Sequence, residues 1–217
     1  MVFGGNVNYT RSLILAVVLS VSTAQASVVF ATPGDFPGSA VPITFTGQAD
    51  GTEVNGLTVG GVLFSYSLGN GQVIIDGGPG PTNNISPPNV VTTGNPNGIL
   101  TLTLPGPAVL FGYGYAILNQ AVVLNATTIT LFSGVTNVGS LPYTGVPDPT
   151  FAGGFAGIQS TIPFDRVQLT FAAAQPAWAV DNIRFAAEVP EPSTILFILT
   201  GSAGIFWLRR RTLRGSR

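Results

Sequence analysis

Any chemistry in this chain must come from carboxylates, hydroxyls and amides, because histidine, cysteine and lysine do not occur in it. Without His or Cys there is no Ser-His-Asp triad, no thiol nucleophile and no zinc site of the His or Cys type. Without Lys there is no Schiff base, no Ser-Lys dyad and no phosphate-loop lysine. Asp50, Glu53, Asp76 and Asp181 remain as candidates for a glycosidase-type carboxylate pair. No spacing singles out two of them, so the chain is not expected to be an enzyme, and a glycan-active enzyme is the remote alternative. Stacking is the other chemistry available. In Leu110–Tyr115 the residues Phe111, Tyr113 and Tyr115 alternate with glycines, which puts three rings on one face of a strand. Such a face is either a platform for glycan contact or a core surface whose glycines admit a crowding segment. Exposure separates the two: open rings favour binding, buried rings a structural role.

The elements that would position these residues are short strands. Ile43–Thr46 alternates apolar and polar, Asp50-Gly51 is a turn, and Val54–Val59, Gly61–Ser67 and Gln72–Asp76 follow as strands. Residues 77–98 are rich in proline and glycine and are expected to form a mobile loop rather than a central sheet element. Ile99–Leu104, Leu110–Tyr115, Thr127–Phe132, Phe151–Ile158, Arg166–Phe171 and Trp178–Phe185 complete about ten short strands, with no sustained helical periodicity. The pattern predicts an all-β fold, an antiparallel sandwich.

Charge restricts the partners. Only 8% of the 217 residues are charged, against roughly 25% in a typical globular protein. Residues 27–192 hold two arginines, Arg166 and Arg184, against nine acids, a net charge of −7. Such a body has no basic footprint for nucleic acid. Asp165 and Asp181 lie near those arginines in sequence, as partners for ion pairs. The front of the chain reads as an export signal over residues 1–26. Arg11 supplies a positive charge, Leu13–Val21 an apolar run, and Ala24-Gln25-Ala26 a cleavage site before Ser27. The Sec translocon is then the expected route. Asn84-Ile85-Ser86 and Asn125-Ala126-Thr127 fit the glycosylation pattern but need a eukaryotic secretory route.

The end of the chain, 189–217, has three parts. Val189, Pro190, Glu191, Pro192 and Ser193 form a turn that neither strand nor helix can continue. Ile195–Leu208 carries no charge and as a helix spans about 21 Å, short of the ~30 Å hydrocarbon core. Arg209, Arg210 and Arg211, then Arg214 and Arg217, stop transfer on the cytoplasmic side. This order resembles the PEP-CTERM sorting tail of exported proteins from Gram-negative bacteria. The resemblance implies an exosortase that recognises Pro190-Glu191-Pro192 in the inner membrane, cuts nearby and releases the body to the cell surface or beyond. The single transmembrane helix then anchors only an intermediate.

Over residues 27–188 the body resembles the jelly-roll modules that such proteins often carry. Gly51-Thr52-Glu53-Val54 leading into Gly61-Val62-Leu63-Phe64, Phe155-Ala156-Gly157-Ile158 leading into Phe164-Asp165-Arg166-Val167, and Ala179–Phe185 carry the likeness. It implies a structural calcium, with Asp50, Thr52 and Glu53 from the first strands meeting Asp181 from the last. Solvated turn residues and a strand-end Asp are the alternative reading of the same positions. The chain is thus expected to be an exported, non-catalytic structural or interaction protein of an extracellular polysaccharide layer. A carbohydrate-binding module contacting exopolysaccharide is the alternative.

Overall fold

The computed structural model describes residues 27–187. The expected export signal over residues 1–26 and the tail at 189–217, with its expected helix, lie outside them. The described chain is all-β. In order it runs β1 Val28–Phe30, a 3-10 turn at Pro33–Asp35, β2 Thr58–Val59, β3 Val62–Tyr66, β4 Val73–Asp76, β5 Asn89–Thr92, β6 Leu100–Ile117, β7 Val123–Ser133, β8 Thr136–Pro147, β9 Ala152–Phe171 and β10 Trp178–Ala186. All pairings between the strands are antiparallel.

Two long strands organise the rest. β6 has 18 residues and β9 has 20, far beyond the usual five or six. They pair along their lengths, but the register shifts between Thr103 and Ala108 and again before Leu110. The sequence explains the break. Pro105-Gly106-Pro107 lies in the middle of β6, and proline cannot donate to a ladder. Pro163 lies at the matching place in β9, where the Ser160 hydroxyl bonds the Ile162 carbonyl at 2.7 Å and accepts from its N–H at 3.0 Å. Strands bent this way turn the corner of a sandwich. The first part of β6 pairs with β3, the second with β10. The end of β9 pairs with β7, and its earlier part with β1 and the tip of β8.

One hydrogen-bonded network of ten strands therefore folds over itself, where the sequence predicts separate short strands. Side chains from both halves meet in a single apolar cluster. Phe64, Leu102, Val167 and Leu131 form one fully buried cross-strand row, and Ile75, Val90, Val180 and Tyr115 another. Each such side chain contributes about 1.5–3 kcal/mol by leaving water.

Several predicted elements change. Ile43–Thr46 is not a strand: only Ile43 bridges to Ile183, while Phe45 is buried beneath. The strand at Val54–Val59 shrinks to β2. Phe151–Ile158 and Arg166–Phe171 fuse into β9, and the pattern gave no element for β8. The largest correction concerns 77–98. Asn89–Thr92 is a strand within it, held between β4 and β10. The prolines flank Asn89-Val90-Val91-Thr92 without interrupting it, so composition averaged over the whole stretch hides a short strand. The remaining loop is packed rather than loose. Asn83 and Ile85 are buried, and the Trp178 indole N–H reaches the Pro96 carbonyl at 3.0 Å.

Candidate functional sites

The three rings of β6 point into the sandwich. Phe111 and Tyr113 are fully buried and Tyr115 is 1% exposed. Their centroids are 5.9 and 6.0 Å apart in tilted contacts. Burial pushes the Tyr113 phenol well up and that of Tyr115 up to about 12, and the Tyr113 hydroxyl bonds Thr127. Glycan contact at Phe111, Tyr113 and Tyr115 is thereby corrected: no ring face is open there to a sugar. The intervening glycines do admit other segments. A Cβ on Gly112 would strike Phe155, and one on Gly114 would strike the Asn84 carbonyl.

The predicted calcium ligands do not converge. The Thr52 hydroxyl donates to the Ala49 carbonyl at 2.6 Å. The Glu53 carboxylate accepts from the N–H groups of Gly71 at 2.6 Å and Asn55 at 3.2 Å. Glu53 bridges to Ile74 on β4, so β4 and β5 stand between Asp50-Gly51-Thr52-Glu53 and β10. That separation is about 14 Å at ~4.8 Å per strand. Among the described residues no three acidic side chains gather as a metal cluster. The set Asp50, Thr52, Glu53 and Asp181 is therefore not one site. The jelly-roll likeness implies first strands beside the last, whereas here two strands intervene.

Asp181 has different company. It is 1% exposed, and its Oδ2 accepts from the Ser86 N–H at 2.9 Å. Desolvation raises its carboxyl, opposed by the backbone N–H groups of Ser86 and Asn182. Asn89 on β5 is fully buried and donates from Nδ2 to the Pro79 carbonyl at 3.3 Å. Both residues thus face the 77–88 loop. Asn89 escaped the sequence reading because an amide inside a proline-rich stretch carries no signal of burial. The expected ion pairs are also absent among the described residues. Asp165 accepts from the Gly134 N–H at 3.0 Å, and the Arg166 guanidinium lies 4.7 Å above the Phe132 ring.

Among the concave places of the described residues, two lie near the elements discussed above. An apolar pocket of about 200 Å³ is lined by Pro79, Val91, Phe151 and Trp178 among others. A wider groove of about 790 Å³ is bordered by both ends of the described chain, Ser27 and Ala187. The pairing explains why the ends meet. Val29, Gln159, Leu110 and Ala186 form one row across β1, β9, β6 and β10. β1 enters at the same end of the sheet from which β10 leaves, roughly three strand spacings or about 14 Å apart.

The comparisons with known proteins fall on the tail and on the body separately. Among solved structures the chain is similar to CBM29-2, in a mutant used to probe ligand recognition by family 29 carbohydrate-binding modules. The identity is 9% and the TM-score 0.38, over 78% of this chain and 99% of that one. No curated protein matches in sequence. The model of the PEP-CTERM protein-sorting motif matches residues 188–211, starting directly after Ala187. This chain therefore carries, at its C-terminal end, the motif that marks an exosortase substrate.

Proposed function

We propose that the chain is an exported protein that exosortase delivers to the cell surface or the extracellular matrix, where its body has a non-catalytic structural or interaction role. The sorting motif at 188–211 is the observation that carries this reading. In it, the Sec translocon exports the chain, residues 1–26 are removed between Ala26 and Ser27, and the apolar tail holds an inner-membrane intermediate until it is cut near Pro190-Glu191-Pro192. The fold fits that sequence of events. Both ends of the body leave from one end of the sheet, so a folded domain can hang from the membrane by either signal or by both. The body, as a jelly-roll-like sandwich, then reaches the outside already closed. Intact mass of the protein from its native host tests the proposal. The expected mass begins at Ser27 and ends near Pro190 to Pro192; a mass that still includes Trp207 and the arginines overturns it.

A carbohydrate-binding role is the second reading, and the place for it moves. Phe30 on β1 is 63% exposed and meets the Tyr143 ring edge-on at 5.3 Å. An open aromatic of this kind suits the face of a sugar ring in exopolysaccharide.

A further inference from the structure

The apolar pocket beside Trp178 is a hollow built entirely from carbon. Ala116 on β6 pairs with Ala179 on β10, and Ala179 pairs with Val91 on β5. These three line the pocket from the face of the sheet, while Pro79 and Phe151 wall it from two loops. Leu118 is also in the lining and is 50% exposed, so the pocket opens to solvent. Every lining residue is apolar. The single polar side-chain group among them, the Trp178 indole N–H, is engaged by the Pro96 carbonyl at 3.0 Å. The backbone is committed as well. Trp178 pairs with Ile117 in the β6–β10 ladder, and the Leu118 N–H donates to the Ala177 carbonyl at 2.9 Å.

An unfilled apolar hollow forfeits dispersion contacts along its walls. Here three short side chains, Ala116, Ala177 and Ala179, keep it from being filled from within. A carbon-lined cavity of roughly 150 Å³ stays dry and takes benzene; this one holds about 200 Å³. We infer that it is a binding site for one uncharged hydrocarbon ring, aromatic or alicyclic, carried by a small molecule. An ion or a sugar does not suit it, because buried charges or hydroxyls would find no partner in the walls. The site is therefore separate from the carbohydrate-binding reading, and it depends on neither that reading nor the sorting role. It is also remote from the row where the two ends of the body meet. Along β6, Ile117 lies about 23 Å from Leu110 at ~3.3 Å per residue.

The test uses the full-length chain in lipid nanodiscs, with toluene as the probe. Toluene should raise the melting temperature by several degrees, as a ligand that binds only the folded state does. Nuclear Overhauser contacts should join its protons to the Phe151 and Trp178 rings. Ala116→Leu and Ala179→Leu fill the cavity and should each weaken binding about tenfold or more. Uptake of toluene by the lipid is common to all three proteins and cancels in the comparison. myo-Inositol, a carbon ring of the same size with a hydroxyl at every position, should not bind. A melting temperature that toluene leaves unchanged, with no contact to either ring, overturns the inference on the unmutated chain, even where both variants fail to fold. A shift as large in the filled variants as in the wild type also overturns it, since the ligand would then sit elsewhere. Binding of inositol at the concentrations that suffice for toluene would overturn the hydrocarbon selectivity of the site.

Discussion

At the scale of the residue, burial decides what each aromatic can do. Phe111 has no exposed surface, and its contacts run to Tyr113 and the sandwich core. Truncation by Phe111→Ala should cost about 3–5 kcal/mol, the usual loss for a buried ring, measured as a lower midpoint in urea. Phe30→Ala should change the midpoint little, since most of that ring is already in water. If the carbohydrate-binding reading holds, Phe30→Ala instead lowers retention on immobilised exopolysaccharide. Retention that is unchanged would remove Phe30 from that role. The alternation of rings and glycines in β6 was legible in the sequence, and so were both uses of it. Which face turned inward was not, because strand periodicity defines two faces without saying which one meets a second layer.

At the scale of the element, the 77–88 loop and β6 are fitted to one another at Gly114. A Cβ there meets the Asn84 carbonyl, which is backbone and cannot swing aside. Asn84 is also tied to β10 by the Asn182 side-chain N–H at 2.7 Å. Gly114→Ala should therefore lift the loop at a cost of about 1–3 kcal/mol, as overpacking does. Amide exchange at Ile85 and Ser86 should quicken in the variant; exchange as slow as in the wild type would mean that the loop is not pinned at this point. The same logic explains why β5 was missed. Val90, Val91 and Thr92 are ordinary strand formers, Asn89 is not, and only their place between β4 and β10 makes the four a central strand.

At the scale of the whole molecule, the apolar cluster of the described residues lies within 27–187, and the sorting-motif match begins at residue 188, after the last described strand. Replacing Pro190, Glu191 and Pro192 together by alanine should leave the melting temperature of the body unchanged while the tail stays attached, as read by intact mass. A large drop in melting temperature would show that the motif also packs against the fold.

The sequence by itself determined the all-β class, the absence of the common catalytic groups, the acidic body and the sorting motif. Each of these is local: a missing residue type, a period of two, or three adjacent segments in order. Only the tertiary structure decided that Pro105-Gly106-Pro107 and Pro163 are corners of two long strands rather than gaps between short ones. It alone separated Glu53 from Asp181 by two strands and turned Asn89 and Asp181 toward one loop. Those outcomes depend on which strands become neighbours. Neighbour choice is settled by burying one continuous core, a sum over distant residues that no single stretch of sequence displays.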